Sequence, residues 1–169
     1  MKKDYINQYR ILHQNKKHYG MTSIKFYDQL LDIIKVNNFE KILDYGCGKS
    51  SLLDNIQDAL NIKAFKYDPA IDMYSKLPNI KMDFVICTDV LQHVPLYDLD
   101  RVLTEISSFS KNAFFNIRFT PYKTVLPNGE PANCTIYPPQ WWKSMLEKYY
   151  NRIEIVKSED KNSVTFITI

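Results

Sequence analysis

Apolar residues recur along the chain with two different periods. Between residues 4 and 14, Tyr5, Tyr9 and Leu12 stand at helical intervals, and from Ser23 onward Ile24, Tyr27, Leu31 and Ile34 share one face. That spacing predicts two helices ahead of any strand. Lys41-Ile42-Leu43-Asp44 is a short buried strand broken by Gly46 and Gly48, and Leu52, Leu53, Ile56 and Leu60 form the stripe of a helix over residues 51–60. KAFKYD, residues 63–68, reads as a second strand closed by Asp-Pro. The three segments make a strand-helix-strand unit with a right-handed crossover.

The continuous run FVICTD, residues 84–89, suits a central strand covered on both faces. A helix follows from about residue 95, with Leu99, Val102, Leu103, Ile106 and Phe109 on its inner side, and AFFNIRF, residues 113–119, is the next strand. A proline-marked loop leads to a helix over residues 140–150, and the segments 152–156 and 164–169 read as an antiparallel hairpin. Alternating strands and helices with a closing hairpin predict an α/β, Rossmann-like three-layer sandwich, mostly parallel, in one domain. Residues 1–38 form its helical cover and residues 39–169 the sheet and its loops.

Composition narrows the function classes. A chain of 169 residues with 45 % hydrophobic and 24 % charged residues is long enough for one real core, and a net charge of +3 with dispersed Lys and Arg makes no basic stripe for nucleic acid. Cys47, Cys87 and Cys134 share no metal-type spacing and imply no disulfide framework, which suits a reducing cytoplasm. No apolar run has the length of a signal peptide core or a membrane span. The expectation is a cytoplasmic protein, monomeric or homodimeric, without a bound metal.

The chemistry centres on LDYGCGKSS, residues 43–51. Gly48-Lys49-Ser50 imitates the end of a phosphate-binding loop, but the first glycine of that loop would fall on Leu43, and Asp44 would lie inside the anion cradle. A carboxylate there repels phosphate and attracts an ammonium or sulfonium group. A dinucleotide fingerprint fares little better, because Ser51 stands where its third glycine belongs, although Asp68 lies about twenty residues on.

Asp44 before the turn, Gly46 and Gly48 within it, and Asp68 ending the second strand together resemble the class I S-adenosylmethionine-dependent methyltransferases. The likeness runs through LDYGCGKSSLL, FKYDP and FVICTDVLQHVP to the terminal hairpin, and LPNGEPANCTIYPPQWW is similar to a segment of small bacterial and phage proteins of that kind. It implies S-adenosylmethionine as cofactor, S-adenosylhomocysteine as product, and cofactor contacts from Asp44, Gly46, Cys47, Gly48, Asp68, Pro69, Asp89 and Val90. Two departures stand out. Fifteen residues separate Asp68 from Phe84, so the family's third strand is shortened or absent and the adenine contact falls to Met82 and Asp83 as candidates; Ser50 replaces a further glycine.

Several residues admit two readings. Asp89 and Gln92 have capping-box spacing, so Asp89 is either a cap or a cofactor-side carboxylate. His93 is a candidate general base or a packed histidine. Tyr19, Arg118, Lys123 and Trp141 are the candidate acceptor contacts, Trp141 because adjacent tryptophans on a helix cannot share a face. The resemblance implies methyl transfer to an O or N atom of a small molecule such as a sugar or metabolite. The double proline in YPPQW lacks the leading Asn or Asp of nucleic-acid amino-methyltransferases. A catalytically silent S-adenosylmethionine-binding regulator is the alternative.

Overall fold

Strands β1 (Lys41–Tyr45), β2 (Lys63–Tyr67), β3 (Phe84–Thr88), β4 (Ala113–Arg118), β5 (Glu154–Val156) and β6 (Ser163–Thr168) form one sheet in the order β2-β1-β3-β4-β6-β5. The computed structural model describes residues 2–158 and 160–169. The first four strands are parallel, while β6 runs antiparallel to both β4 and β5. No strand lies outside β2 among the described residues: after Asp68 the chain makes a 3-10 turn at Asp72–Tyr74 and returns to β3, so the third strand of the related pattern is absent.

Period-two alternation divides the strands between two cores. Ile42, Phe84, Ile86 and Phe114 face helices α2 (Tyr27–Asn37) and α3 (Leu52–Ala59), whose Leu30, Ile34, Leu52, Leu53 and Ile56 are buried against them. Leu43, Val85, Cys87, Phe115 and Ile117 face α4 (Leu96–Phe109) and α5 (Pro139–Leu146) through Leu99, Leu103, Ile106, Trp142 and Leu146. Every residue of β3 is buried, as a central strand covered on both sides requires. α2 stops at Asn38, whose left-handed backbone lets its N–H and that of Phe39 close back on Lys35 and Ile34. Helix α5 ends earlier than its periodicity suggests, and Tyr150 leaves it to pack edge-on against Phe115.

Helix α1 (Lys2–Asn15) belongs to neither layer. Its Tyr9 and Leu12 pack with Ala70, Leu126 and Ala132, so it lies across the loops at the carboxyl ends of the parallel strands. The first 38 residues therefore divide: α1 and the link as far as Lys25 roof these loops, while Phe26 and α2 pack into the sandwich. The roof is pinned by Lys49, whose ammonium donates to the carbonyls of His13 and Lys16 at the end of α1. A cation at a helix C-terminus satisfies carbonyls that have no partner within the helix and complements the dipole.

Replacing Lys49 by methionine keeps the stem and removes the charge. Since such a contact is worth up to about 1 kcal/mol, a roughly five-fold change in the local opening equilibrium, trypsin should cut after Lys16 and Lys17 several-fold faster, with the sandwich's thermal transition little moved. Unchanged cleavage rates would show that the tether does not hold α1.

Candidate functional site

In a parallel sheet wound in both directions from its first strand, the crevice lies where the crossovers diverge. Here β1 is followed by β2 on one side and by β3 on the other, and a cavity of 670 Å³ opens at that point under α1. Its size is that of a small-molecule site.

The floor at the β1 end is the glycine turn. Gly46 (φ 78°) and Gly48 (φ 54°) occupy the left-handed region. A Cβ on Gly46 would stand 2.2 Å from a Val90 methyl, and one on Gly48 would stand 2.5 Å from the Gly20 carbonyl oxygen. The N–H groups of Gly46 and Cys47 donate to the Tyr67 carbonyl at 2.7 and 3.0 Å, which ties the turn to the end of β2. Asp68 completes the tie: Oδ2 accepts from the Gly48 N–H at 3.1 Å and Oδ1 from the Ala70 N–H at 2.8 Å, and the residue lines the cavity with Pro69. Ser50 is buried and its hydroxyl accepts the Leu52 N–H at 3.1 Å, starting α3.

Asp44 sits beneath this floor and does not line the cavity. It is 1 % exposed, and its Oδ2 has no hydrogen-bond partner. Burial pushes its carboxyl up to about 7 against the pull of the Lys66 ammonium. Cys47 does line the cavity; burial holds its thiol well above the ordinary range, so it is neutral.

At the end of β3 the chain takes an unusual turn. Asp89 has φ 57°, a conformation uncommon for residues other than glycine and found where local structure is over-determined. Its carboxylate accepts from the Thr22 hydroxyl at 2.9 Å and pairs with Lys25 at 3.6 Å, so it grips the roof's link, and no capping bond forms at the following 3-10 turn, Leu91–His93. Asp89, Val90 and His93 all line the cavity. The His93 Nδ1 lies 2.9 Å from the Ala132 carbonyl, an acceptor only, so the proton resides on Nδ1 and Nε2 keeps its lone pair. Burial lowers the imidazole's pKa, which keeps it neutral and able to accept a proton.

The candidate acceptor contacts separate. Tyr19 lines the cavity, packed edge-on against His13 with ring centroids 4.9 Å apart. Arg118 lines it too, with its guanidinium on Asp160 at 2.9 Å and over the Tyr122 ring at 5.0 Å. Lys123 is exposed and borders only a shallower neighbouring depression shared with Lys16 and Arg118. Trp141 lies outside the cavity, stacked on Tyr137 at 4.0 Å and edge-on to Trp142. Met82 is buried in the core, and the Asp83 carboxylate accepts the backbone N–H groups of Glu40 and Lys41 at the amino end of β3, so both stand at the opposite edge of the sheet from the site. Toward α4 the cavity wall is instead Tyr45, Tyr67 and Arg101.

Sequence reasoning also missed His13, Gly20, Gln92 and Asn133. Gly20 carried a signal, being one of only four glycines in the chain. The others are ordinary polar residues in sequence, and only folding buries them at the cavity wall.

No family model and no curated protein matches the chain in sequence. Solved structures match its fold. Magnesium protoporphyrin IX methyltransferase from Synechocystis PCC 6803, with S-adenosylhomocysteine bound, aligns over 86 % of this chain and 83 % of its own at 13 % identity and a TM-score of 0.57. The methyltransferase domain of bacterial CtHen1 aligns over 87 % and 98 % at 12 % identity and a TM-score of 0.60. Mitomycin 7-O-methyltransferase aligns over 87 % of this chain and 54 % of its own, at 12 % identity and a TM-score of 0.64. The fold is the class I methyltransferase fold, and no helix among the described residues is long and apolar enough to cross a membrane.

A carboxyl whose pKa is raised by folding favours the folded state below its unfolded value and withdraws that support as pH rises through the folded value. For Asp44 the window runs from the ordinary carboxylate range to about 7, at up to about 1.4 kcal/mol per pH unit. Asp44→Asn should therefore melt increasingly above the parent as pH rises across this window, in thermal scans without ligand. A constant difference would mean that Asp44 does not titrate there.

Proposed function

We propose that the protein is an S-adenosylmethionine-dependent methyltransferase acting on an O or N atom of a small molecule. The observation that carries the reading is the glycine turn at the switch point of the sheet. Its two glycines leave no room for a side chain, its N–H groups are bound to the end of β2, and the carboxylates of Asp68 and Asp89 line the cavity above a buried Asp44 with an unpartnered oxygen. Such a floor suits a ligand carrying positive charge and ribose hydroxyls, and it rejects phosphate. Lys49 is engaged with the end of α1, which removes the one cation of the turn from any anion site.

Asp68 would hold the ribose, Gly46 and Gly48 would admit the cofactor's close approach to the backbone, and Asp89 and Val90 would border its reactive end. When bound, S-adenosylmethionine supplies a methyl group already activated by a positively charged sulfur. What remains for the chain is to align the acceptor, exclude water and take up a proton. Nε2 of His93 suits that last role: with its lone pair free, it would accept the proton that the acceptor's oxygen or nitrogen gives up on methylation. Tyr19 and Arg118 line the same space and are proposed acceptor contacts.

His93 lines the cavity with Nε2 left without a protein hydrogen bond, which supports an enzyme over a silent binding protein. α1 covers the site, which favours an acceptor small enough to lie within it over an RNA end, although the Hen1 proteins among the structural neighbours include a small RNA methyltransferase.

Calorimetric titration with S-adenosylmethionine and S-adenosylhomocysteine should show binding of both, lost in Asp68→Ala; failure of either ligand to bind sinks the assignment. His93→Ala should lower turnover at least a hundredfold while cofactor affinity stays within about twofold. The acid limb of the kcat profile should lie below the ordinary histidine value of about 6.5, because burial lowers the His93 pKa.

A further inference from the structure

Lys16, Arg118, Tyr122 and Thr124 line the main cavity and also the shallower depression beside it, so the two spaces share a wall. Thr120 and Lys123 complete the depression's polar lining with Asn162. Of the described residues around it, Lys16, Arg118 and Lys123 are cations and none is a carboxylate. The main cavity has the opposite character at its floor, where Asp68 and Asp89 line it.

Arg118 is the fixed point of this surface. It ends β4, donates from Nη2 to Asp160 at 2.9 Å and from Nη1 to the Thr120 hydroxyl at 3.2 Å, and lies 5.0 Å over the Tyr122 ring. A guanidinium carries more N–H donors than these two bonds use. Hydrogen bonds from Asn162 and the charges of Arg118 and Lys25 hold the Asp160 carboxyl below the ordinary range, so it stays ionised and offsets one cation. Asp89 offsets a second by pairing with Lys25.

Lys16, Lys17 and Lys123 remain unmatched. All three are exposed, Lys17 lines the main cavity with Lys16, and none has an ion-pair partner among the described residues. Other basic side chains meet acids: Lys66 pairs with Asp54, Arg101 with Asp98 and Glu105, Lys143 with Glu147, and Arg152 with Glu154. Here the unmatched charges border one concave surface with a held guanidinium and two threonine hydroxyls. Such a surface concentrates anions. Ammonium and guanidinium groups only donate, so a neutral hydroxyl leaves their charge unanswered and a cation is repelled, whereas a carboxylate or phosphate accepts from all of them.

We propose that this depression is the anion subsite of the acceptor, in which Lys16, Arg118 and Lys123 hold the carboxylate or phosphate of a small acidic molecule whose reacting O or N atom lies in the main cavity with His93. This rests on the methyl-transfer reading of that cavity and narrows its acceptor to an acid. Charge then sorts the two ligands: the donor's positive sulfur is drawn to the acidic floor, and the acceptor to the basic wall. The subsite joins roof and sheet, because Lys16 follows α1 whereas Arg118 and Lys123 belong to the end of β4 and its loop.

Inorganic phosphate and acetate probe the two anion types, added at constant ionic strength with and without S-adenosylhomocysteine and followed by backbone amide NMR. Saturable shifts should centre on Thr120, Lys123 and Thr124, and the tighter probe identifies the group. Lys16→Gln and Lys123→Gln should each weaken binding about tenfold, the loss of one charge-assisted hydrogen bond, while Lys35→Gln on α2 leaves it unchanged. Glucose 6-phosphate or glucuronate should be methylated in preference to methyl α-D-glucopyranoside, with KM raised and kcat kept in Lys123→Gln. If none of these sugars turns over, the titration decides alone. Shifts that fail to saturate, that centre elsewhere or that persist in both variants would overturn the proposal, as would preferred turnover of the neutral glycoside. Binding of a short single-stranded RNA more than about a hundredfold tighter than phosphate would assign the surface to nucleic acid and overturn it too. Anion binding without binding of S-adenosylmethionine would instead overturn the methyltransferase reading and leave the anion site standing.

Discussion

The site depends on two stretches of bare backbone meeting where no side chain fits. Gly20 of the roof's link and Gly48 of the turn approach so closely that a Cβ on Gly20 would lie 3.3 Å from the Gly48 Cα, and the Gly20 carbonyl takes the Lys49 N–H at 2.8 Å. That contact sets the height of the cavity. It brings His13, Tyr19 and Lys25 over the floor, and it places the end of α1 within reach of the Lys49 side chain. The sandwich underneath is built from its own alternating strands, and the glycine contact is where the roof's link meets its loops.

Around this space the usual satisfaction of buried polar groups fails. Asp44 Oδ2, His13 Nδ1, Gln92 Oε1 and the Asn133 amide have no partner, and all but Asp44 line the cavity. Unpartnered atoms also occur in the core, at Trp142 Nε1, Tyr150 OH and Asn116 Oδ1, so a single orphan says little. What distinguishes the cavity is that its orphans stand together with a histidine whose free nitrogen is an acceptor. A buried polar atom left unpaired costs on the order of 1–3 kcal/mol, so the loops around the cavity fold at a local cost in stability.

The sheet is readable in the sequence because its strands obey the simplest rules: alternation places Ile42 and Leu43 on opposite faces, and the continuous run from Phe84 to Thr88 announces a strand buried on both. The absent third strand shows in the short spacing after Asp68, and Asp44 and Leu43 exclude the P-loop. The acceptor side is less legible. Helical geometry places Trp141 on a face other than that of Trp142, which is where it lies, but its stacking on Tyr137 is a tertiary contact that no local pattern encodes. Met82 and Asp83 suggest themselves as cofactor contacts because the chain is short there, yet they precede β3 and so stand at its amino end. Asn133 lies in a loop without periodicity, which its neighbours Cys134 and Thr135 tie to the carbonyl of the distant Gln92.

α1 touches Ala70 on the β2 side and Ala132 on the β4 side, so a single helix spans both halves of the cavity. It is held by a few side chains and a lysine tether and adds no strand to the sheet. Its release is a local event whose free energy is set apart from that of global unfolding. If a ligand exchanges through release of α1, its passage would be uncoupled from the durability of the scaffold: the sandwich could become more stable without slowing exchange, and α1 could be retuned without weakening the sandwich.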